Sequence, residues 1–248
     1  MTDAAPRHVA IIGAGIVGLS TAIWLQRAGV RVTVIDRQGP GAGASYGNGG
    51  ILAACSIVPV TVPGLWKKAP RMALDPGQPL FLRWSYLPRL APWLIRYLAQ
   101  GTEARTRATA RALAGLTSGS LAAHQDLAAG TGAEGYVVPS DYLFLYRDRA
   151  HFAGDAFGWG LRAKAGFVWD ELDRAGVANA DPALGPDIGF AARLGGHGYI
   201  RDPGGYTAAL VAHVTQQGGA VLTAEVSGGG TDGGRGRGGI AKGAAAWR

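Results

Sequence analysis

The strongest constraint on this chain is Gly13-Ala14-Gly15-Ile16-Val17-Gly18, set inside an uncharged run from Val9 to Leu25. His8 to Ile12 is short, apolar and rich in β-branched residues, which predicts a strand. Leu19 to Ala28 predicts a helix that stops at Gly29. Arg31 to Ile35 predicts a second strand, ending at Asp36. An uncharged run behind Arg7 and His8 also resembles a signal peptide or a membrane span. The glycines argue against both, because they interrupt the run where a strand should end and a helix begin. No other segment reaches spanning length.

The spacing G-x-G-x-x-G inside a strand-turn-helix-strand unit has a physical reading. Gly13 permits the tight turn out of the strand. Gly15 lets the backbone approach a pyrophosphate. Gly18 allows close packing of the helix. With Ile16 and Val17 between them, these residues form the candidate phosphate cradle, because a helix N-terminus presents free amides and a partial positive charge. Asp36 lies 18 residues after Gly18. Its carboxylate suits the hydroxyls of an adenosine ribose and disfavours a 2′-phosphate, which argues against NADP. The alternative is a buried strand-turn-helix with Asp36 as a solvated loop acid. The fingerprint alone leaves NAD and FAD open. The next loop, Gly43 to Gly50, is small and polar, and suits an extended cofactor running from pyrophosphate toward a flavin.

The rest of the chain bounds the function. Forty-eight per cent of its 248 residues are hydrophobic, enough for a sizeable core. Cys55 is the only cysteine, which excludes an internal disulfide framework and a multi-cysteine metal site. The formal charge is +7, but residues 228–248 contribute three of those charges, leaving an ordinary +4. No basic stripe interleaved with aromatics points to nucleic acid. The histidines at 8, 124, 151, 197 and 213 show no metal-ligand spacing, and Ser20 and Ser45 have no recognisable triad partners. His197 sits in a Gly-rich turn and reads as a loop histidine without a role. Cys55 reads as a buried structural thiol.

Beyond the loop, prolines at 59, 63, 70, 76 and 79 predict short pieces. Pro88 and Pro92 limit helix length in the aromatic stretch 80–98. Residues 102–129 predict one longer helix, and 149–165 another. Tyr142–Tyr146 predicts a strand, and 187–201 a strand pair around Gly195-Gly196. Tyr206–Gln217 predicts a helix followed by a strand at Ala220–Thr223. The aromatics Phe81, Trp84, Tyr86, Trp93 and Tyr97 predict core packing of a helical layer, with contact to a bilayer or a respiratory-chain partner as the alternative. Residues 228–248 hold nine glycines in 21 positions and no apolar period, so no folded element is expected there.

These residues resemble the D-amino acid dehydrogenase family, part of the wider group of D-amino acid and glycine/sarcosine oxidases. The G-x-G-I-V-G fingerprint, the Asp36-Arg37 pair and the A-S-x-x-N-G-G loop carry the likeness. The runs at 79–84 and 93–98 and the segment from Asp202-Pro203 to Leu210 extend it, so that it covers roughly residues 7–227. The resemblance implies an α/β architecture. A Rossmann-like FAD-binding domain is interleaved with an α+β substrate domain and is incomplete at the C-terminus. The expected parts are 1–56, the β-α-β unit and flavin loop; 57–201, a helical layer and part of the substrate domain; 202–227, a return to the FAD-binding domain; and 228–248, an atypical disordered tail read as truncation or out-of-frame translation.

The resemblance also implies FAD as cofactor and a D-amino acid as substrate, with no metal. It places Arg37 near the adenine, Ala44, Ser45, Asn48, Gly49 and Gly50 along the pyrophosphate and flavin, and Val226 as a weaker adenine contact. Catalytic residues are not identified. A glycine/sarcosine-type oxidase, or an inactive fragment that keeps the ADP-binding module, are the alternatives. The expected location is the cytoplasm, with peripheral contact to the inner membrane or an electron acceptor as a further possibility.

Overall fold

The computed structural model describes residues 8–65, 83–232 and 235–240. Strand β1 (His8–Ile12) leads through the glycine turn into helix α1 (Ile16–Arg27) and then strand β2 (Arg31–Asp36). The helix therefore starts three residues before the predicted Leu19, inside the fingerprint. A two-residue strand, β3 (Ile51–Leu52), closes the loop that follows.

Helix α2 (Leu87–Leu98) runs straight through Pro92, where the sequence predicts a limit. None of its residues is buried, so the expected core packing of this aromatic layer is not what forms. The run at 79–82, including Phe81, lies outside the described residues. The predicted helix over 102–129 is two helices. They are α3 (Glu103–Thr117), whose N-cap Thr102 accepts from the Arg105 amide, and α4 (Ser120–Ala128). Ser118 and Gly119 part them.

Strand β4 (Val137–Tyr146) is twice the predicted length. Helices α5 (Arg149–Ala153) and α6 (Ala156–Lys164) follow, then strand β5 (Asp170–Asp173) and helix α7 (Arg174–Ala180). Strand β6 (Phe190–Ile200) is continuous, which corrects the expected strand pair at 187–201. Gly195-Gly196 resembles a hairpin turn in sequence, yet the strand passes through it. Close strand approach explains a neighbouring glycine: a Cβ on Gly198 would sit 2.6 Å from the Val138 carbonyl oxygen. Helix α8 (Pro203–Gln216), capped by the Asp202 carboxylate on the Gly205 amide, starts three residues before the predicted Tyr206, and strand β7 (Ala220–Thr223) forms where expected.

The tail departs from expectation. Strand β8 (Val226–Asp232) pairs antiparallel with strand β9 (Arg235–Ile240). Main-chain hydrogen bonds pair these strands, and composition does not register such pairing. Residues 241–248 lie outside the described residues.

Two compact units result. The first combines residues 1–52, 121–140 and 198–248. Its parallel sheet has the order β1-β2-β7, with Ile11 opposite Val34 and Ile35 opposite Leu222. Helices α1 and α8 cover it, burying Leu19, Ile23, Leu210 and Val214. The Gln26 side chain links the helices by donating to the Val214 carbonyl at 2.9 Å. The inclusion of residues 121–140 differs from the sequence boundaries, which hold 57–201 together.

The second unit combines residues 53–120 and 141–197 around an aromatic core of Tyr146, Trp159 and Phe190, with Cys55, Ala192 and Leu194. The indole of Trp159 donates to the Tyr146 hydroxyl at 2.9 Å, and that hydroxyl donates to the Asp155 carboxylate at 3.1 Å. His197 is 2 % exposed, not a loop residue in water. Its Nε2 accepts the Cys55 amide at 3.1 Å, so its proton sits on Nδ1 and is donated to the Gly195 carbonyl at 2.8 Å.

Candidate functional site

The glycine turn divides its work by residue. Gly13 has φ +103° with open space around it, so it is needed for its backbone angle. Gly18 is needed for space: a Cβ there would lie 1.9 Å from the Gly13 carbonyl oxygen. At Gly15 a Cβ would come 3.1 Å from Ser45 Oγ, where the turn meets the second loop. Helix α1 begins at an uncapped Gly15 and has no acid in its first turn. Its first amides therefore remain available to an anion. One is occupied from within: Ile16 N–H donates to Ser45 Oγ at 2.9 Å. That hydroxyl keeps its own hydrogen for another acceptor.

Asp36 closes the turn from the other side. Its Oδ2 accepts from the Ala14 amide and its Oδ1 from the Gln38 amide, both at 2.9 Å. The Ala14 bond first, then the Gln38 bond, hold its carboxyl below the usual value. A carboxylate accepts about four hydrogen bonds, so it retains capacity for sugar hydroxyls.

Two cavities flank the turn. One, of about 250 Å³, is lined by Ile12, Gly13, Asp36, Arg37, Glu225 and Val226, among others. The other, of about 240 Å³, is lined by Ile16, Ser45, Asn48, Gly50, His124 and Tyr206, among others. The structure thus brings Asp36, Arg37 and Val226 to one cavity, and Ser45, Asn48 and Gly50 to the other. Ala44 and Gly49 are exposed and line neither. Val17 lines a separate groove of about 670 Å³ along α1.

Two of the loop residues act on the protein itself. Asn48 donates to the Ala44 and Ser45 carbonyls and accepts from the Gly50 amide, so its side chain shapes the loop. Gly50 (φ +64°) passes so close to β6 that a Cβ would lie 2.3 Å from the Ile200 oxygen.

Sequence reasoning missed His124, Tyr206, Pro203 and Thr207. The last three had a signal, the Asp202-Pro203 segment. His124 had none, because it lies on α4 far from the fingerprint and is brought there only by folding.

The family model described as FAD dependent oxidoreductase matches residues 8–246. The chain belongs to this family, whose cofactor is FAD. The match continues past residue 227, across the tail that shows no resemblance by inspection. A D-amino-acid oxidase of Bradyrhizobium diazoefficiens is 43 % identical over 225 residues, covering 90 % of this chain and 53 % of the relative. D-amino acid dehydrogenase 2 of Ralstonia nicotianae is 34 % identical, covering 71 % of this chain and 42 % of the relative. The chain spans about half the length of the curated relatives it matches. Glycine oxidase from Geobacillus kaustophilus superposes with a TM-score of 0.60 over 97 % of this chain and 52 % of its own, at 17 % identity, a likeness of fold.

Proposed function

We propose that this chain forms the FAD-holding part of an enzyme that oxidises D-amino acids. The pair of cavities on either side of the glycine turn carries the cofactor reading. A dinucleotide is an extended molecule with an anionic centre, and this site is two pockets joined by a helix N-terminus. Asp36, with Arg37 and Val226, would hold the adenosine end. Gly13, Gly15, Ile16, Val17 and Gly18 would surround the pyrophosphate. Ser45 would meet the far side, on a loop shaped by Ala44, Asn48, Gly49 and Gly50. FAD bound there supplies the acceptor for hydride from the carbon that bears the amine. The chain's residues orient the cofactor and neutralise its phosphates. The D-amino acid reading rests on the names of the 43 % and 34 % identical relatives.

The purified chain should take up FAD, giving visible flavin absorption. A protein that binds neither FAD nor ADP would overturn the reading. With the protein flavin-loaded, turnover of D-alanine but not L-alanine or glycine supports the substrate class, and turnover of glycine alone refutes it. Oxygen consumption or reduction of an artificial acceptor then identifies where the electrons go.

Helix α2 and the turn before it, Trp84–Tyr86, support a peripheral membrane contact as the partner reading. Trp84 and Trp93 are 54 % and 57 % exposed, and Tyr86 and Ile95 are also exposed. Arg83, Arg89 and Arg96 accompany them, and residues 83–102 contain no acid. Exposed aromatic and basic residues on a helix and on the turn that leads into it suit an anionic lipid surface. Among the described residues no helix is long and apolar enough to cross a membrane. Co-sedimentation with phosphatidylglycerol vesicles, weaker with phosphatidylcholine and lost in Trp84→Ser/Trp93→Ser, is the expected result. Equal sedimentation of the double variant would refute it.

A further inference from the structure

We infer that His124, oriented by Tyr206, is a cofactor contact that donates a hydrogen bond to the ribityl chain of FAD. This rests on the FAD reading above and concerns which residues, beyond the two glycine loops, hold the molecule.

His124 Nδ1 and the Tyr206 hydroxyl lie 3.1 Å apart. Either group could be the donor, and the surroundings decide. The tyrosine has one proton and no other hydrogen-bond acceptor among the described residues. If the imidazole donated, the hydroxyl hydrogen would be left unpaired in a buried position. If the tyrosine donates, both groups are satisfied. Burial pushes the Tyr206 pKa up to about 12, which keeps that proton in place, and burial also lowers the His124 pKa. With Nδ1 accepting from the tyrosine, the imidazole carries its hydrogen on Nε2. That nitrogen has no hydrogen-bond partner among the described residues.

His124 lines the 240 Å³ cavity, as it also lines the groove along α1. Of the side chains that line it, Asn48 spends its amide hydrogens on Ala44 and Ser45, and Thr207 spends its hydroxyl on the Pro203 carbonyl. Tyr206 spends its own on His124. The Ile16 and Gly50 amides are likewise occupied. The side-chain donors left are Ser45 O–H and His124 Nε2–H. The lining also contains Ile51, Leu52 and Ile200, so a ligand that displaces water from this cavity must place its acceptors against these two donors. The adenosine end belongs to the other cavity, with Asp36. The phosphates meet the glycine turn, so the oxygens left for this one are those of the sugar-alcohol chain beyond it.

A comparison of FAD with ADP isolates the contact, because ADP occupies the Asp36 side and lacks the ribityl chain. Affinities for both are measured by calorimetry on the whole chain. His124→Ala should weaken FAD about tenfold and leave ADP unchanged. His124→Gln, which keeps a donor, should recover most of the loss. Tyr206→Phe should weaken FAD less than His124→Ala and also spare ADP. Retained ADP affinity shows that each variant is folded. Unchanged FAD affinity in His124→Ala, equal losses for FAD and ADP, or no rescue by Gln would overturn the assignment. A wild-type chain that binds neither ligand overturns the FAD reading itself, whereas tight FAD binding insensitive to His124 overturns only this one.

Discussion

The two units hold their central residues in opposite ways. In the first, the candidate site is made by main chain: amides at the start of α1, a carboxylate bonded to two more amides, and glycines that remove side chains where backbone must approach. In the second, the centre is made by large side chains, with Trp159 packed on Phe144, Phe152 and Trp169 at centroid distances of 4.6–5.2 Å. A main-chain site tolerates little change in backbone position. An aromatic core tolerates little change in volume. Substitutions in the first unit should therefore act chiefly on binding, and those in the second on stability.

Trp159→Ala should have the largest effect. The residue is buried and donates to Tyr146. Removing it leaves a large void and frees a buried hydroxyl, a destabilisation of about 3–5 kcal/mol. Urea unfolding measures it. A cost under about 1 kcal/mol would mean that the aromatic centre is not close-packed, and the contrast between the units would collapse. Cys55 reports the same core. It is buried, burial raises its thiol pKa, and Arg162 opposes that only in part. Maleimide labelling should be negligible in the native protein and rapid in Trp159→Ala or in urea.

Gly18→Ala comes next and belongs to the other unit. With 1.9 Å between its Cβ and the Gly13 oxygen, the turn must shift. ADP affinity should fall about a hundredfold, roughly 2.7 kcal/mol. Gly13→Ala meets no atom but must hold φ at +103°, a strain of about 1–3 kcal/mol. An alanine tolerated at both positions would show that the turn is not what binds.

Asp36→Asn should cost less in binding, about tenfold for ADP, because the amide still accepts hydrogen bonds but without charge. The carboxylate also makes acid a selective probe. Amide hydrogen bonds hold its folded pKa below the ordinary carboxylate value, so the folded state favours the ionised form. The stability this contributes is complete above the unfolded pKa and is lost as pH falls through the folded value. Wild type should lose stability in that acid window more steeply than Asp36→Asn. Identical pH profiles would remove Asp36 from the list of groups that shape the turn.

The same contrast explains what the sequence discloses. The β-α-β unit is legible because its constraint is local: three glycines, two strands and one acid within about thirty residues. The acid's partners follow from that register. His124 is not legible, since α4 reaches the cavity only through the fold. The aromatic core is not legible either. Its members run from Cys55 to Leu194, and alternating strand patterns do not say which rings meet. Misreadings had local causes. Gly195-Gly196 looks like a turn but lies within a strand, and Pro92 looks like a stop but lies within a helix. The 228–248 segment looks structureless because a ribbon built from main-chain bonds leaves no apolar pattern.

Arg162→Met is the smallest and sharpest test of the second unit. The guanidinium is buried, lies 4.3 Å from the Phe144 ring centroid and 4.8 Å from that of Trp159, and donates from Nε to the Cys55 carbonyl at 3.3 Å. Among the described residues its buried Nη1 has no hydrogen-bond partner, and the carboxylate within ion-pair range, Asp155, is 3.9 Å away and 47 % exposed. The charge thus bears a desolvation cost with incomplete pairing, while the rings return about 0.5–2 kcal/mol. Methionine fills similar volume, keeps contact with the rings and strands no charge, since Asp155 stays hydrated. The two sides nearly cancel, so Arg162→Met should change stability by less than about 1 kcal/mol. Arg162→Ala, which adds a void, should cost about 2 kcal/mol more. If methionine proves as damaging as alanine, the cation itself holds the aromatic core together. The second unit would then depend on charge as the first depends on backbone.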